Sequence, residues 1–236
     1  MEDDCLGAMI PFSDASRRPL HFPIITILLI ITNFVAFWYE LSGGNAFVLT
    51  WAAVPAHIMA GRDWITILTA MFMHASWLHI LGNMVYLWAF GPQIEDAMGP
   101  FKYLTFYLLG GLVAMLAQIA ASPNSTIPTL GASGAIAAVM GAFLVTYPRD
   151  KIKSVLFIGW FGRITMIPAF VLIGFWFLIQ LVSYGVITHT PTTAGSGGGV
   201  AYMAHIGGMA FGALVARLIE DPDRIAAQRV LNDYDN

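Results

Sequence analysis

Six apolar segments, each close to the length that crosses a lipid bilayer, constrain this chain more than any other feature. They cover residues 22–41, 68–90, 103–121, 131–147, 164–187 and 200–219, although residues 64–74 could also lie at the membrane interface before the second span starts. About 20 apolar residues in a helix cross the roughly 30 Å hydrocarbon core of a bilayer. Only helices and closed barrels satisfy the backbone in lipid, and continuous apolar runs are typical of helices. We therefore expect an all-α membrane protein with a bundle of six transmembrane helices.

The composition agrees with a membrane protein and excludes several other classes. Hydrophobic residues make up 58% of the 236 residues and charged residues only 11%, whereas soluble domains carry about 25% charged residues. The formal charge of −3 gives no reason to expect nucleic-acid binding. The single cysteine, Cys5, excludes an intramolecular disulfide and a cysteine-based metal cluster. The acidic N-terminus lacks a cleavable-signal pattern, so we expect the first segment to stay as an anchor.

The basic residues predict how the bundle is oriented. With six spans, ten of the eleven lysines and arginines fall on the side that holds both termini, and Arg62 alone falls on the other side. The positive-inside rule then places both termini in the cytoplasm. We expect a cytoplasmic tail at residues 1–21, a membrane domain at 22–219 and a second cytoplasmic tail at 220–236.

Four polar residues within the apolar segments are candidates for function, because polar side chains are costly inside a membrane. Ser133 begins the fourth predicted helix, and His205 lies near the start of the sixth. His79 and Asn83 lie four residues apart in the second, and therefore on one helical face. All four fall at a similar depth below the outer surface. His74 is predicted to be a loop or capping residue, and every carboxylate is expected in a loop, in a tail or at the inner end of the second helix.

Small residues predict that the fourth and sixth helices approach each other closely. They recur every four positions in both helices, as Ser133, Ala137 and Gly141, and as Ala204, Gly208 and Gly212. Such stripes allow backbone-to-backbone packing, which would bring Ser133 within hydrogen-bond reach of His205. A neutral imidazole can then accept the hydroxyl proton and make the serine oxygen a nucleophile. Gly131 and Gly134 would leave the N–H of Ser133 free to face a developing oxyanion.

Other interpretations of the same residues remain open at this point. A helix rich in glycine and serine is commonly a packing interface alone, and the fold could belong to an inactive interaction protein. A transporter would normally show a broken helix, a sequence repeat or an ion-binding carboxylate, and none is found. A metalloprotease would need a set such as HExxH, and the pair His74 and His79 lacks both its spacing and its glutamate.

Three motifs, taken together and in order, resemble the rhomboid family of intramembrane serine proteases. They are "HASWLHILGN" (74–83), "GASGA" (131–135) and "AHIGGMAFG" (204–212). The resemblance implies that Ser133 is the nucleophile, that His205 is the base, and that His79 and Asn83 are side-chain oxyanion donors. It also implies that "GPQIE" (91–95) is structural.

The resemblance further predicts the partners and surroundings of the protein. We expect no cofactor and no metal ion, and substrates that are single-span transmembrane proteins cleaved near the outer surface. The expected location is a prokaryotic cell membrane, with membrane lipid around the bundle. Nothing in the sequence indicates an oligomeric state.

Two departures from the family pattern concern the catalytic histidine and the first loop. Many members carry an aromatic residue four positions after the serine, where it stacks on the histidine, and this chain has Ala137 there. The Trp-Arg pair common in the first loop is replaced by "GRDWI" (61–65).

Access of water and substrate to the serine is predicted from the loops and the fifth segment. The uncharged loop at residues 188–199 is expected to cover a water-filled cavity. The bulky "FWF" (175–177) is expected to form a mobile side wall where a substrate helix enters.

Overall fold

The structure, a computed structural model, describes residues 9–158, 161–189 and 200–234 and is mostly helical. Its helices are α1 (Ile24–Trp51), α2 (Pro55–Met59), α3 (Thr66–Thr69), α4 (Trp77–Met98), α5 (Pro100–Ala121), α6 (Ser133–Thr146), α7 (Ala169–His189), α8 (Tyr202–Ile219) and α9 (Pro222–Tyr234). A 3₁₀ turn, Ala70–Phe72, follows α3.

Four helices are long and apolar enough to cross a membrane by length and composition. They are α1, α5, residues Ala169–Val186 of α7, and α8. The prediction of a mainly helical membrane protein is therefore confirmed. Two further helices of the predicted six do not meet this criterion. With 14 residues, α6 is only about 21 Å long, and α4 carries buried polar residues near its C-terminal end.

The helix boundaries differ from the predicted ones where local geometry interrupts the apolar pattern. The first helix continues beyond the predicted end but is kinked at Gly44, where φ is 55°, a value that glycine adopts without steric cost. The second span is shifted, because residues 66–72 form short turns and α4 begins only at Trp77, where Ser76 caps it by accepting from the N–H of His79. The predicted start of the second span at residue 68 was therefore wrong.

An antiparallel sheet of three strands was not predicted. Strands β1 (Met9–Asp14), β2 (Lys151–Ile158) and β3 (Phe161–Pro168) pair in the order β1-β2-β3. The prediction had placed residues 164–168 in the fifth span and residues 9–14 in the N-terminal cytoplasmic tail. Side chains of Ile164 and Met166 are exposed, and apolar residues on a strand resemble the start of an apolar helix when only the sequence is read.

Polar contacts at the end of the bundle that carries the sheet join α1, α4 and α9. Glu95 of α4 accepts hydrogen bonds from the backbone N–H groups of Ile25 and Thr26, and from the hydroxyl of Thr26. Its carboxylate thus caps the first turn of α1. Asp96 accepts from Gln228 of α9 at 2.6 Å, so the predicted C-terminal tail contains a packed helix. These contacts agree with a structural role for the "GPQIE" segment.

The short helix α6 lies at the centre of the bundle and packs most closely against α8. Residues 134–143 of α6 are all buried, whereas Leu214 and Leu218 of α8 are exposed, as lipid-facing residues would be. A Cβ atom built on Gly208 would lie 2.1 Å from the carbonyl oxygen of Gly134, and one on Gly212 would lie 1.9 Å from that of Ala138. The close approach predicted from the small residues is confirmed. Gly141 of α6 touches the backbone of α8 as expected, whereas the other touching positions, Gly134 and Ala138, are one residue later than Ser133 and Ala137.

Because the close approach of α6 and α8 leaves no room for a side chain at Gly212, we expect Gly212→Ala to destabilise the fold. Overpacking of this kind typically costs about 1–3 kcal/mol, and thermal unfolding in detergent would measure it. The matched control is Gly174→Ala in α7, where no atom lies within 4 Å of the new Cβ position. Equal melting temperatures for the two variants would contradict the proposed tight packing of α6 against α8.

Candidate active site

Ser133 occupies the first position of α6, as predicted, after a backbone turn that requires glycine. Gly131 has a φ of 134°, which L side chains rarely adopt, and its N–H donates to the carbonyl of Ala70 at 2.8 Å. The first N–H groups of a helix have no partner within the helix and carry its partial positive charge. Ser133 therefore combines a side-chain hydroxyl with a helix N-terminus suited to a negative charge.

The structure brings Ser133 and His205 together across the interface of α6 and α8. The Oγ atom of Ser133 lies 2.7 Å from Nε2 of His205. His205 is only 7% exposed, so the hydrogen bond is shielded from solvent. The contact depends on the glycines described above, since a side chain at Gly208 would force the two backbones apart.

The second ring nitrogen of His205 contacts a residue that the sequence analysis missed. Nδ1 lies 2.7 Å from Oε1 of Gln180 in α7. The indole of Trp176, one turn earlier in α7, lies 5.3 Å from the imidazole between ring centroids and is tilted by 41°. Ala137 contributes no ring, so α7 supplies the aromatic contact instead. A glutamine inside an apolar segment was the available signal, because intramembrane polar residues are rare.

His79 of α4 lies beside the turn that precedes Ser133, and Asn83 lies one turn further along the same helix. A Cβ atom built on Gly131 would lie 3.0 Å from Cε1 of His79, 3.1 Å from its Nε2 and 3.6 Å from Oγ of Ser133. The His79 ring and the serine hydroxyl thus border the same small space. The Nδ2 atom of Asn83 is buried and has no hydrogen-bond partner among the residues that the structure describes. Buried donors are normally paired, so this free donor suits a ligand.

The position of Glu40, which contacts His74, corrects one expectation from the sequence. His74 lies in the loop before α4, as predicted, but it is 1% exposed and packs edge-on against His79 with ring centroids 5.1 Å apart. Its backbone N–H donates to the carboxylate of Glu40 at 2.9 Å. Glu40 is a buried residue within α1, so the expectation that no carboxylate lies inside a span was wrong. Glu40 already fell within the predicted first segment, 22–41, and because α1 continues to Trp51 it lies inside the helix and not at its end.

A small cavity adjoins Ser133. Its volume of about 20 Å³ is enough for one water molecule. Its walls come from α5, α6, α8 and the loop before α6, and include Ala114, Leu130, Gly134 and Ala204. The predicted covering loop at residues 188–199 falls mostly on residues 190–199, which lie outside the described residues.

The described residues contain no group of three or more histidine, cysteine, aspartate or glutamate side chains able to hold a metal ion. The absence of a metal and of a cofactor stays a prediction. The site as described offers a hydroxyl, an imidazole in contact with it, and an unpaired amide donor on α4.

This chain is similar to a class of membrane proteins in which a helical bundle holds a half-buried serine–histidine pair. A model described as the Rhomboid domain matches residues 61–221. The chain therefore belongs to the rhomboid family.

Individual relatives are similar over parts of their length. The rhomboid protease GluP of Bacillus subtilis is 28% identical over 162 residues, which cover 67% of this chain and 31% of GluP. The rhomboid protease GlpG of Pectobacterium atrosepticum is 33% identical over 119 residues, which cover 50% of this chain and 41% of GlpG. Rhomboid-like protein 11 of Arabidopsis thaliana chloroplasts is 35% identical over 101 residues, or 42% of this chain and 36% of that protein. The matched regions thus span between about a third and two fifths of these relatives.

Proposed function

We propose that this protein is an intramembrane serine endopeptidase that cleaves transmembrane proteins near the outer membrane surface. The observation that carries the proposal is the 2.7 Å contact between Oγ of Ser133 and Nε2 of His205 at the buried head of α6. Membership of the rhomboid family supports it, since relatives such as GluP and GlpG are named rhomboid proteases.

In the proposed mechanism, Ser133 and His205 act together as nucleophile and base. Nε2 of His205 takes the hydroxyl proton while Oγ attacks the carbonyl carbon of the scissile peptide bond. The resulting imidazolium then gives that proton to the leaving amine, and an acyl-enzyme on Ser133 remains. A water molecule, deprotonated by His205, attacks the ester and releases the acid product and the free serine.

The negative charge on the tetrahedral intermediate needs hydrogen-bond donors placed in advance. The free Nδ2 donor of Asn83, the His79 ring beside Gly131 and the N–H of Ser133 are suited to this role. The N-terminus of α6 adds a favourable partial charge. We assign His79 and Asn83 to charge stabilisation and give them no part in transferring the essential proton.

The proposed arrangement in the membrane follows from the helices and the basic residues. Helices α1, α4, α5, α6, α7 and α8 are the six spans of a membrane domain at residues 22–219. The tails at residues 1–21 and 220–236 are cytoplasmic by the positive-inside rule. The expected substrates are single-span transmembrane proteins of a prokaryotic cell membrane, with lipid as the surroundings and without nucleic acid, metal or cofactor.

Ser133→Ala and His205→Ala should each abolish cleavage of a transmembrane test substrate in detergent without unfolding the protein. Because the two residues act as a unit, the double variant should be little slower than either single variant. A fluorophosphonate should label Ser133 in the unsubstituted protein, and chelators should leave its activity unchanged. Undiminished cleavage by Ser133→Ala, or labelling of another residue, would contradict the proposal.

Asn83→Ala and His79→Ala should slow cleavage without eliminating it. Loss of one oxyanion donor typically costs about 10²–10³ in rate, and the remaining donors share the charge here. Measurement of kcat for each variant, beside Ser133→Ala, tests the assignment. If His79→Ala ended serine labelling in a folded protein while His205→Ala preserved it, the roles of base and donor would have to be exchanged.

The predicted side wall in α7 can now be tested at one residue. Phe175 is 55% exposed, whereas Trp176 contacts His205, so the two positions are not equivalent. If α7 hinders substrate entry, Phe175→Ala should speed cleavage of transmembrane substrates and leave fluorophosphonate labelling of Ser133 unchanged. An unaltered cleavage rate for Phe175→Ala would argue against the gate.

A further inference from the structure

Gln180 contacts the catalytic histidine in an orientation set by its own helix. Its side chain is 6% exposed, and its Nε2 atom donates to the backbone carbonyl of Trp176 at 3.2 Å. Because the amide nitrogen is used in this way, the amide oxygen faces Nδ1 of His205 at 2.7 Å. The side chain therefore offers the imidazole an acceptor.

An acceptor at this place fixes which nitrogen of His205 carries the hydrogen. A carboxamide oxygen only accepts, so Nδ1 must be the donor of the pair. In a neutral imidazole the other nitrogen then has a free lone pair, and Nε2 is the atom that lies 2.7 Å from the Ser133 hydroxyl. The Nδ1–H tautomer is the one that can remove the serine proton.

Trp176 supports the same ring from the same helix. Gln180 and Trp176 are four residues apart and share one face of α7. The indole lies 5.3 Å from the imidazole, which limits rotation of the ring away from Ser133. The two contacts together restrict both the plane and the tautomer of His205, and neither comes from a helix that carries Ser133 or His205.

We propose that Gln180 is a positioning residue that holds His205 in the Nδ1–H tautomer and aims Nε2 at Ser133, with Trp176 keeping the ring in plane. The inference rests on the proposed serine protease function. A neutral amide orients the base without placing a charge in the membrane, where a carboxylate would be costly. When His205 becomes an imidazolium, its Nδ1–H bond to Gln180 becomes charge-assisted and stronger.

The test compares Gln180→Leu, which removes the acceptor, with Gln180→Glu, which keeps an acceptor at nearly the same place. The readouts are the rate of Ser133 labelling by a small fluorophosphonate, and kcat and KM on a transmembrane substrate. Gln180→Leu should lower the labelling rate and kcat by about 10- to 10³-fold, less than the ~10⁴-fold loss when a triad aspartate is replaced and the tautomer is wrong. The KM should change little.

Gln180→Glu should recover most of the labelling rate, because its carboxylate can accept from Nδ1–H. A purely structural role predicts the reverse order, since a buried charge harms packing more than leucine does. The control Leu178→Ala lies on the same helix, and Leu178 is 55% exposed, so labelling should not change. Histidine nitrogen NMR spectra of the unsubstituted protein should also show a hydrogen on Nδ1 of His205.

The outcomes separate this inference from the proposed function. A Gln180→Leu variant that labels within twofold of the unsubstituted protein would overturn the positioning role alone, as would a hydrogen on Nε2 of neutral His205. An unsubstituted protein in which Ser133 is not labelled and no substrate is cleaved would overturn the proposed function itself.

Discussion

The backbone contact between α6 and α8 is the constraint on which the rest of the structure depends. Gly208 and Gly212 of α8 lie against carbonyl groups of α6 at distances that no Cβ atom could occupy. Only this approach brings a serine at the head of one helix within reach of a histidine on the next. In lipid, where apolar surface gives helices little reason to associate, packing of small residues is a main source of attraction. The same glycines therefore stabilise the fold and set the geometry of the site.

The site is assembled from four helices, each with a different contribution. Helix α6 supplies the hydroxyl and its own N-terminal N–H groups, while α8 supplies the imidazole. In the proposed mechanism the oxyanion donors come from α4, and α7 contacts the imidazole through Gln180 and Trp176. Because α7 also carries Phe175 on its exposed face, a displacement of this helix would loosen the base. If a substrate enters beside α7, as proposed, its entry would also disturb the position of His205.

Polar interactions at the opposite end of the bundle anchor the helices that carry these groups. Glu95 caps α1, and Asp96 holds α9 through Gln228. The sheet β1-β2-β3 pairs the N-terminal segment with the hairpin before α7. Of the buried carboxylates among the described residues, only Glu40, which accepts from the backbone N–H of His74, lies away from this end.

The sequence alone determined the membrane surroundings, the helical class and the four candidate residues. Long apolar runs leave few alternatives, and polar residues within them are conspicuous. It also predicted the close approach of α6 and α8 from the spacing of glycines. Only the tertiary structure decided that Gln180 contacts His205, because the two residues belong to different helices and no periodicity relates them. The strands β2 and β3 and the buried position of Glu40 were likewise missed. Strand pairing and helix extension depend on distant partners, which local patterns of apolar residues do not encode.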